Sequence, residues 1–588
     1  MAQNQTNQKI KTRDSIIVLL SIIGLAACIA VLFPQVRQMM MDYIAKHVIH
    51  KETSLNQVWD KLFSSFAMFG FCFILFFDYI VLTNSGKSLV KQLKQDIKDC
   101  LSEFDYRSFL KPSLVLLGVY LLGILTIIRA NFLYKDDIWR AADGSRQWFN
   151  WSRYVSEFLS IFVHGDTNLT DISPVPQLLA ILILFVSSVL LVYIIGNRKI
   201  TVVRLLASIP LGLSPYILES LAFKFDAPYM ALSVLASIFP FLFITRKKAF
   251  IFVSIVSLLI VCMSYQSATG IYLLIVVMIC FQDWNSRKKS YKEIFSFLGI
   301  AALAFSSAML IFRFFLMKPI DSYASTAIHP FPHLISGTLS NIKSFILLLN
   351  HDLGMIWKIG IAIVILFFIT KSINRSAQSK LLSFFVSLLI LIISLISSYG
   401  VYFLLEVPSF RPCAFMGFGA FLAILGIYIV SDYKKVATVA VLALNWCLFV
   451  FAFSYGNALA DQARYAEFRI SILLQDLSTL YPDVNTENNK SIQFDNSIDF
   501  TPSVKNIAKH YPVIERLVPP RLSDFILDYY YFLVYFNYAR FQINNQDNLD
   551  LPEQNFVNFN TLNLPVVLDS YYHTIRSDGN HILIVLKH

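Results

Sequence analysis

Two adjacent carboxylates, Asp136 and Asp137 in "LYKDDIWRAADG", sit where the apolar run "PSLVLLGVYLLGILTIIRANF" ends at Phe132. A carboxylate at the mouth of a membrane span can take a proton from an attacking hydroxyl, because partial desolvation raises its basicity. The same residues equally suit a cap on a helix starting near Ile138. A second constellation lies in "SPYILESLAFKFDAPYM", where Glu219, Lys224 and Asp226 share a short loop flanked by Pro215 and Pro228. These residues read either as a local salt bridge or as part of a site.

Cations recur at the ends of apolar runs: Arg129, Arg313 in "MLIFRFFLMK", Lys318, Lys358 in "MIWKIG" and Arg411 in "EVPSFRPCAF". Several spans presenting cations at one level make a phosphate site, and the planar fork of arginine suits phosphate oxygens. Snorkelling to the membrane surface is the competing account. Tyr265 and Gln266 of "SYQSATG" fall at a hairpin between two apolar runs, suited to a sugar or simply to a turn. His329 and His333 in "IHPFPHL" have metal-like spacing, but Pro330 and Pro332 break the helix that spacing needs, so no metal site is assigned. Asp78 lies near the inner end of a span, close to basic residues.

The elements that carry these residues are membrane spans. Of 588 residues 56% are hydrophobic and 15% charged, with a mean hydropathy of +0.60, which excludes an ordinary soluble enzyme. Apolar runs at 15–33, 63–83, 112–132, 174–196, 202–218, 229–245, 249–264, 268–282, 294–315, 355–373, 381–405, 412–431 and 436–455 predict about thirteen transmembrane helices. The first run also resembles a signal-peptide core, but its length favours a span. Three regions follow. Residues 1–111 form an N-terminal helix pair with an amphipathic linker, 112–455 the membrane body, and 456–588 a soluble α/β domain. That domain should hold a packed helix at 525–536 and a hairpin turning at Ser577, Asp578, Gly579 and Asn580.

Basic residues outnumber acidic ones about three to one in the segments on one side, which the positive-inside rule makes cytoplasmic. The outer loops 219–228 and 406–411 carry one basic residue each, Lys224 and Arg411. Asp136, Asp137, the loop 316–354 and the C-terminal domain then face outward, where no nucleotide sugar is available. The net charge of +11 belongs to this topology and not to nucleic acid. In the linker, Val90, Leu93, Ile97, Leu101 and Phe104 form a stripe between lysines, as on a helix lying against anionic membrane lipid or on an ordinary linker helix. Trp148, Trp151, Val155, Phe158 and Phe162 form another, expected at the outer membrane interface. The seven cysteines lie in or beside apolar runs or in the basic linker and give no disulfide framework.

The acidic pair after an early span, the "ESLAFKFDAPYMALS" segment, the "SYQ" hairpin and the arginine before a late span together resemble the bacterial Gtr-type (GtrII-like) glucosyltransferases, over about residues 112 to 455. The resemblance implies a GT-C fold in the bacterial cytoplasmic membrane and a sugar donor on a polyprenyl phosphate, such as undecaprenyl phosphate glucose. It also implies transfer of a single sugar to a polysaccharide or lipid-linked glycan outside the cytoplasm. In such enzymes the acidic pair commonly follows the first span, whereas here it follows the third, so residues 1–111 look like an addition. An inverting mechanism then assigns Asp136 or Asp137 as base. Arg411, Lys224, Arg313 and Lys358 would bind the donor phosphate, and Glu219, Asp226, Tyr265 and Gln266 would position the sugar. No metal cofactor is required, although paired acids can bind Mg²⁺ or Mn²⁺. A lipid-linked sugar flippase and a glycan polymerase or ligase are the competing classes. The flippase lacks support, since neither paired repeats nor matching broken spans are evident.

Overall fold

The computed structural model describes residues 2–44, 67–68, 70–71, 74–75, 77–104, 106–318, 326–431, 435–482, 490–522, 531–532, 541–543 and 557–587. Most of the expected helix 525–536 and part of the run 63–83 lie outside them. Among the described residues eight helices are long and apolar enough to cross a membrane, or ten if two bent pairs each count as one span. The shortfall from thirteen has identifiable causes. The run 202–218 is broken at Ser214–Pro215 into pieces bent by 58°. The run 229–245 ends as a short helix, Ala227–Ile238, followed by the 3₁₀ turn Phe239–Phe243. Lys247–Cys262 spans only 16 residues.

Some peripheral helices turn large apolar residues outward and small or polar ones inward, the reverse of a soluble bundle. Along Lys380–Ser397, Ser383, Ser387 and Ser394 are buried while Leu381, Phe385, Leu389 and Ile392 are exposed. With hydrocarbon as solvent there is no gain in burying leucine, and close packing of small residues decides which face turns in. This makes the chain a polytopic membrane protein. Met416–Val430 runs through the centre and is wholly buried.

Tyr106–Ala130, the helix that delivers the acidic pair, packs on the long helix Lys435–Leu480. A Cβ on Gly456 would come within 2.5 Å of the Thr126 backbone, so only glycine allows this approach. Lys435–Leu480 crosses position 455 without a break and carries the C-terminal sheet, whose strands are β1 (Lys490–Asp495), β2 (Phe541–Ile543), β3 (Val566–Asp569), β4 (His573–Ser577) and β5 (His581–Leu586). The strand order is β2-β1-β5-β4-β3, with β1 parallel to both neighbours and β3–β4–β5 antiparallel. The β4–β5 turn falls at the expected Asp-Gly, with Gly579 at φ 101°.

Two interfacial readings are modified. In the linker helix Asn84–Ser102, Leu93 and Ile97 pack against the body, as does Phe104 just beyond it, so only Val90 and Leu101 of the stripe face outward. In Tyr154–His164, Phe158 and Phe162 are exposed as an interfacial helix requires, but Trp148 is fully buried because Asp226 claims its indole N–H.

Candidate active site

The two acids of "KDD" point in different directions. Lys135 takes a left-handed conformation, φ 45°, and turns the chain between Tyr134 and Asp136. Asp137 is fully buried. Its Oδ2 accepts the backbone N–H groups of Lys224 at 2.9 Å and Tyr134 at 3.1 Å, and its Oδ1 that of Phe225 at 3.3 Å. Burial pushes its carboxyl up to about 8, while the Lys224 and Tyr134 amides pull against that rise. Asp137 thus ties the exit of one span to the loop 223–226. Asp136 holds the N-cap position of Asp137–Asp143 but makes no capping hydrogen bond. Its side chain, 33% exposed, lies on a cavity of about 600 Å³.

Both charged and apolar side chains line that cavity. Asp136, Arg153, Asp226, Gln266, Arg313 and Arg411 supply charge and hydrogen-bonding groups, and Tyr265 adds a ring. Met309, Leu310, Phe312, Leu404 and Leu405 supply hydrocarbon. Arg313 is carried on the π-turn Phe312–Leu316, and its Nη1 donates to the Thr326 carbonyl at 2.8 Å. Arg411 precedes Pro412 and is therefore extended, φ −61° and ψ 146°, at the start of a 3₁₀ turn.

The acids of "ESLAFKFD" are engaged by neighbouring side chains, Asp226 on the cavity wall and Glu219 behind it. Asp226 pairs with Arg140, accepts the indole N–H of Trp148 and lies 4.0 Å from Arg153. The Arg140 guanidinium rests 4.4 Å over the Trp148 ring. Glu219 is fully buried on the helix Pro215–Ala222, which the Ser214–Pro215 break directs inward. It accepts from Tyr134 Oη at 2.7 Å and Lys135 Nζ at 3.1 Å, and from the Cys413 backbone N–H two residues past Arg411. Buried charges so paired act as struts between loops, since an unpaired one would be costly.

Of the expected site residues the structure brings Asp136, Asp226, Tyr265, Gln266, Arg313 and Arg411 to one cavity. Four others stand apart. Asp137 is spent on backbone amides, Glu219 is held by Tyr134, Lys135 and the Cys413 amide, Lys224 points to Asp171 Oδ2 at 2.9 Å, and Lys358 lies in the first turn of Met355–Asn374, off the cavity wall. The two acids therefore do not converge as a cation pair. Among the described residues no group of three or more His, Cys, Asp or Glu is assembled to hold a metal. His329 Nε2 instead lies 3.2 Å from the Asn341 amide. Asp78 accepts from Ser21 Oγ at 2.6 Å. Arg140 and Arg153 escaped the sequence reading; the signal for Arg140 was its position one turn after Asp136, on the same helix face.

A family model described as Glucosyl transferase GtrII matches residues 125–424. A relative from Salmonella phage P22, described as an uncharacterized 55.3 kDa protein in the gtrB 5′ region, is 22% identical over 432 residues, which cover 70% of this chain and 87% of the phage protein. No solved structure matches. The family match spans more than half of the chain and takes in every residue of the cavity named above, and on that ground the chain belongs to the glucosyl transferase GtrII family and is a membrane glycosyltransferase.

Proposed function

We propose that the protein transfers one sugar, glucose, from a polyprenyl-phosphate donor to a polysaccharide or lipid-linked glycan on the extracytoplasmic face of the bacterial cytoplasmic membrane, with inversion at C1, on a GT-C fold of about thirteen spans. The observation that carries this reading is the composition of the cavity, which Asp136 and three arginines line together with hydrocarbon side chains. A lipid-linked sugar phosphate combines the same two chemistries.

In this mechanism the acceptor hydroxyl attacks C1 of the donor sugar. The bond from C1 to the acceptor oxygen forms as the bond from C1 to the phosphate oxygen breaks, and the hydroxyl proton passes to the Asp136 carboxylate. The leaving polyprenyl phosphate is held by Arg411 and Arg313, with Arg153 lining the same cavity. Arginine forks stabilise the developing charge most where water is excluded. Tyr265 and Gln266 face the sugar, while Glu219 and Asp226 act through Lys135 and Arg140. Lys224, Lys358 and Asp137 stay outside the chemistry.

The test is mass spectrometry of the surface glycan from cells carrying wild-type or Asp136→Asn protein. One additional hexose per repeat with the wild type, absent with the variant, is expected. Unmodified glycan in both, with lipid-linked sugar retained on the inner leaflet when the protein is missing, would point to a flippase.

A further inference from the structure

The family match ends at residue 424, yet two arginines well beyond it reach the loops that hold Asp136 and Arg411. Arg516, on the short helix Ile514–Leu517, donates from Nη2 to the carbonyl of Phe410, the residue directly before Arg411. Its Nη1 pairs with Asp352, which is fully buried and also accepts from Tyr216 Oη at 3.0 Å. The guanidinium lies 5.3 Å over the Phe415 ring. One residue earlier, the Ser409 carbonyl accepts from Tyr399 Oη at 2.6 Å. Both peptide carbonyls ahead of Arg411 therefore have a fixed donor, one from the membrane body and one from the C-terminal domain.

The other loop is held by the same segment. Arg521 Nη2 donates at 2.5 Å to the carbonyl of Leu133, three residues before Asp136. Its guanidinium sits between the rings of Phe132 and Tyr531, at 4.4 and 4.5 Å. The Leu517 carbonyl lies 2.8 Å from Tyr134 Oη, the hydroxyl that also reaches Glu219. Between the two arginines Pro519 and Pro520 restrict the backbone, so a shift at one end is not absorbed before the other.

We propose that residues 516–521 are a brace that sets the distance between base and phosphate-binding cation: Arg516 is a positioning residue for Arg411, and Arg521 for Asp136. The proposal rests on the roles given to Asp136 and Arg411 above. Arginine is needed at 516 because its planar fork reaches Asp352 and the Phe410 carbonyl together, which a lysine ammonium does not reproduce. The brace acts on geometry, and displacement of a reacting group by about 1 Å can cost roughly a hundredfold in rate.

The test measures kcat and KM for a synthetic polyprenyl-phosphate glucose with the full-length protein in lipid nanodiscs, alongside thermal stability. Arg516→Lys should raise donor KM about tenfold with kcat within about twofold of wild type, and Arg521→Lys should lower kcat about tenfold with KM retained. Asp352→Asn, which weakens the hold on Arg516 without removing it, should shift KM in the same direction and serves if Arg516→Lys does not fold. A merely structural role predicts a loss that tracks the folded fraction, with both constants unchanged per folded molecule, and that result overturns the brace. Full activity of Asp136→Asn and Arg411→Ala overturns the underlying site, and the brace with it. Inactivity of those two, with wild-type constants in the brace variants, overturns the brace alone.

Discussion

Arg140 stands between two carboxylates, paired with Asp226 and 4.0 Å from Asp136 Oδ2, with only 3% of its side chain exposed. Asp226 is thus the main partner of a cation that cannot reach water. Replacing Asp226 by Ala leaves that charge buried and should cost roughly 3–5 kcal/mol of stability. Thermal unfolding of purified protein measures the loss, and a change under about 1 kcal/mol would show that Arg140 finds another partner.

The acids of "KDD" should separate cleanly. Asp136→Asn keeps shape but removes the base, which is worth about 10² to 10⁴ in rate, so turnover should fall at least a hundredfold at unchanged melting temperature. Asp137→Asn turns an amide N–H₂ toward backbone N–H groups and should cost about 1–3 kcal/mol of stability. Full activity of Asp136→Asn moves the base elsewhere.

Cations on and off the cavity wall should also differ. Hydrogen bonds to charged groups are worth roughly 1.5–3 kcal/mol, so Arg411→Ala should raise donor KM about 10- to 100-fold. Lys224→Ala loses only its pair with the part-exposed Asp171, and Lys358→Ala loses no cavity contact. Donor titrations of the three variants decide this; equal losses in all three would dissolve the distinction.

A pH effect follows from the C-terminal sheet. His573 is buried on β4, its Nε2 3.0 Å from Asp476 Oδ2. Burial lowers its proton affinity from the ordinary 6.5; Asp476 raises it, and Arg469 and Lys587 add to the lowering. The folded chain then binds fewer protons than the unfolded chain below about 6.5, so stability present above that pH is lost as pH falls through it. The buried Asp137, held at about 8, acts with the opposite sign in both proteins, so the expected readout is a difference: on acidification from about pH 7 to about pH 5 the wild type should lose melting temperature relative to His573→Gln.

What was legible in the chain was what is written locally. Uninterrupted apolar runs mark spans, Asp578-Gly579 marks a turn, and charges at the ends of such runs mark the level of the cavity, which is how Asp136, Arg313 and Arg411 could be selected together. Pairing across hundreds of residues leaves no such mark. Lys224 looks free until Asp171 is seen beside it, and Glu219 looks like a sugar ligand until Lys135, Tyr134 and Cys413 close around it. The number of spans is blurred for a related reason. A proline such as Pro215 inside an apolar stretch allows either a kinked crossing or a break, and packing chose the break that carries Glu219 inward.

The helix Lys435–Leu480 has 46 residues, about 69 Å at 1.5 Å each, of which hydrocarbon accounts for roughly 30 Å. The remainder is a rigid mast, and Gln462 fastens it to Asp499 and Thr501 at the foot of the sheet. Height above the bilayer is therefore set by residue count, in steps of about 5.4 Å per turn. One turn inserted between Gly456 and Gln462 would raise the sheet by that amount and pull 516–521 off both loops, so the length of this helix is itself a dimension of the catalytic chamber.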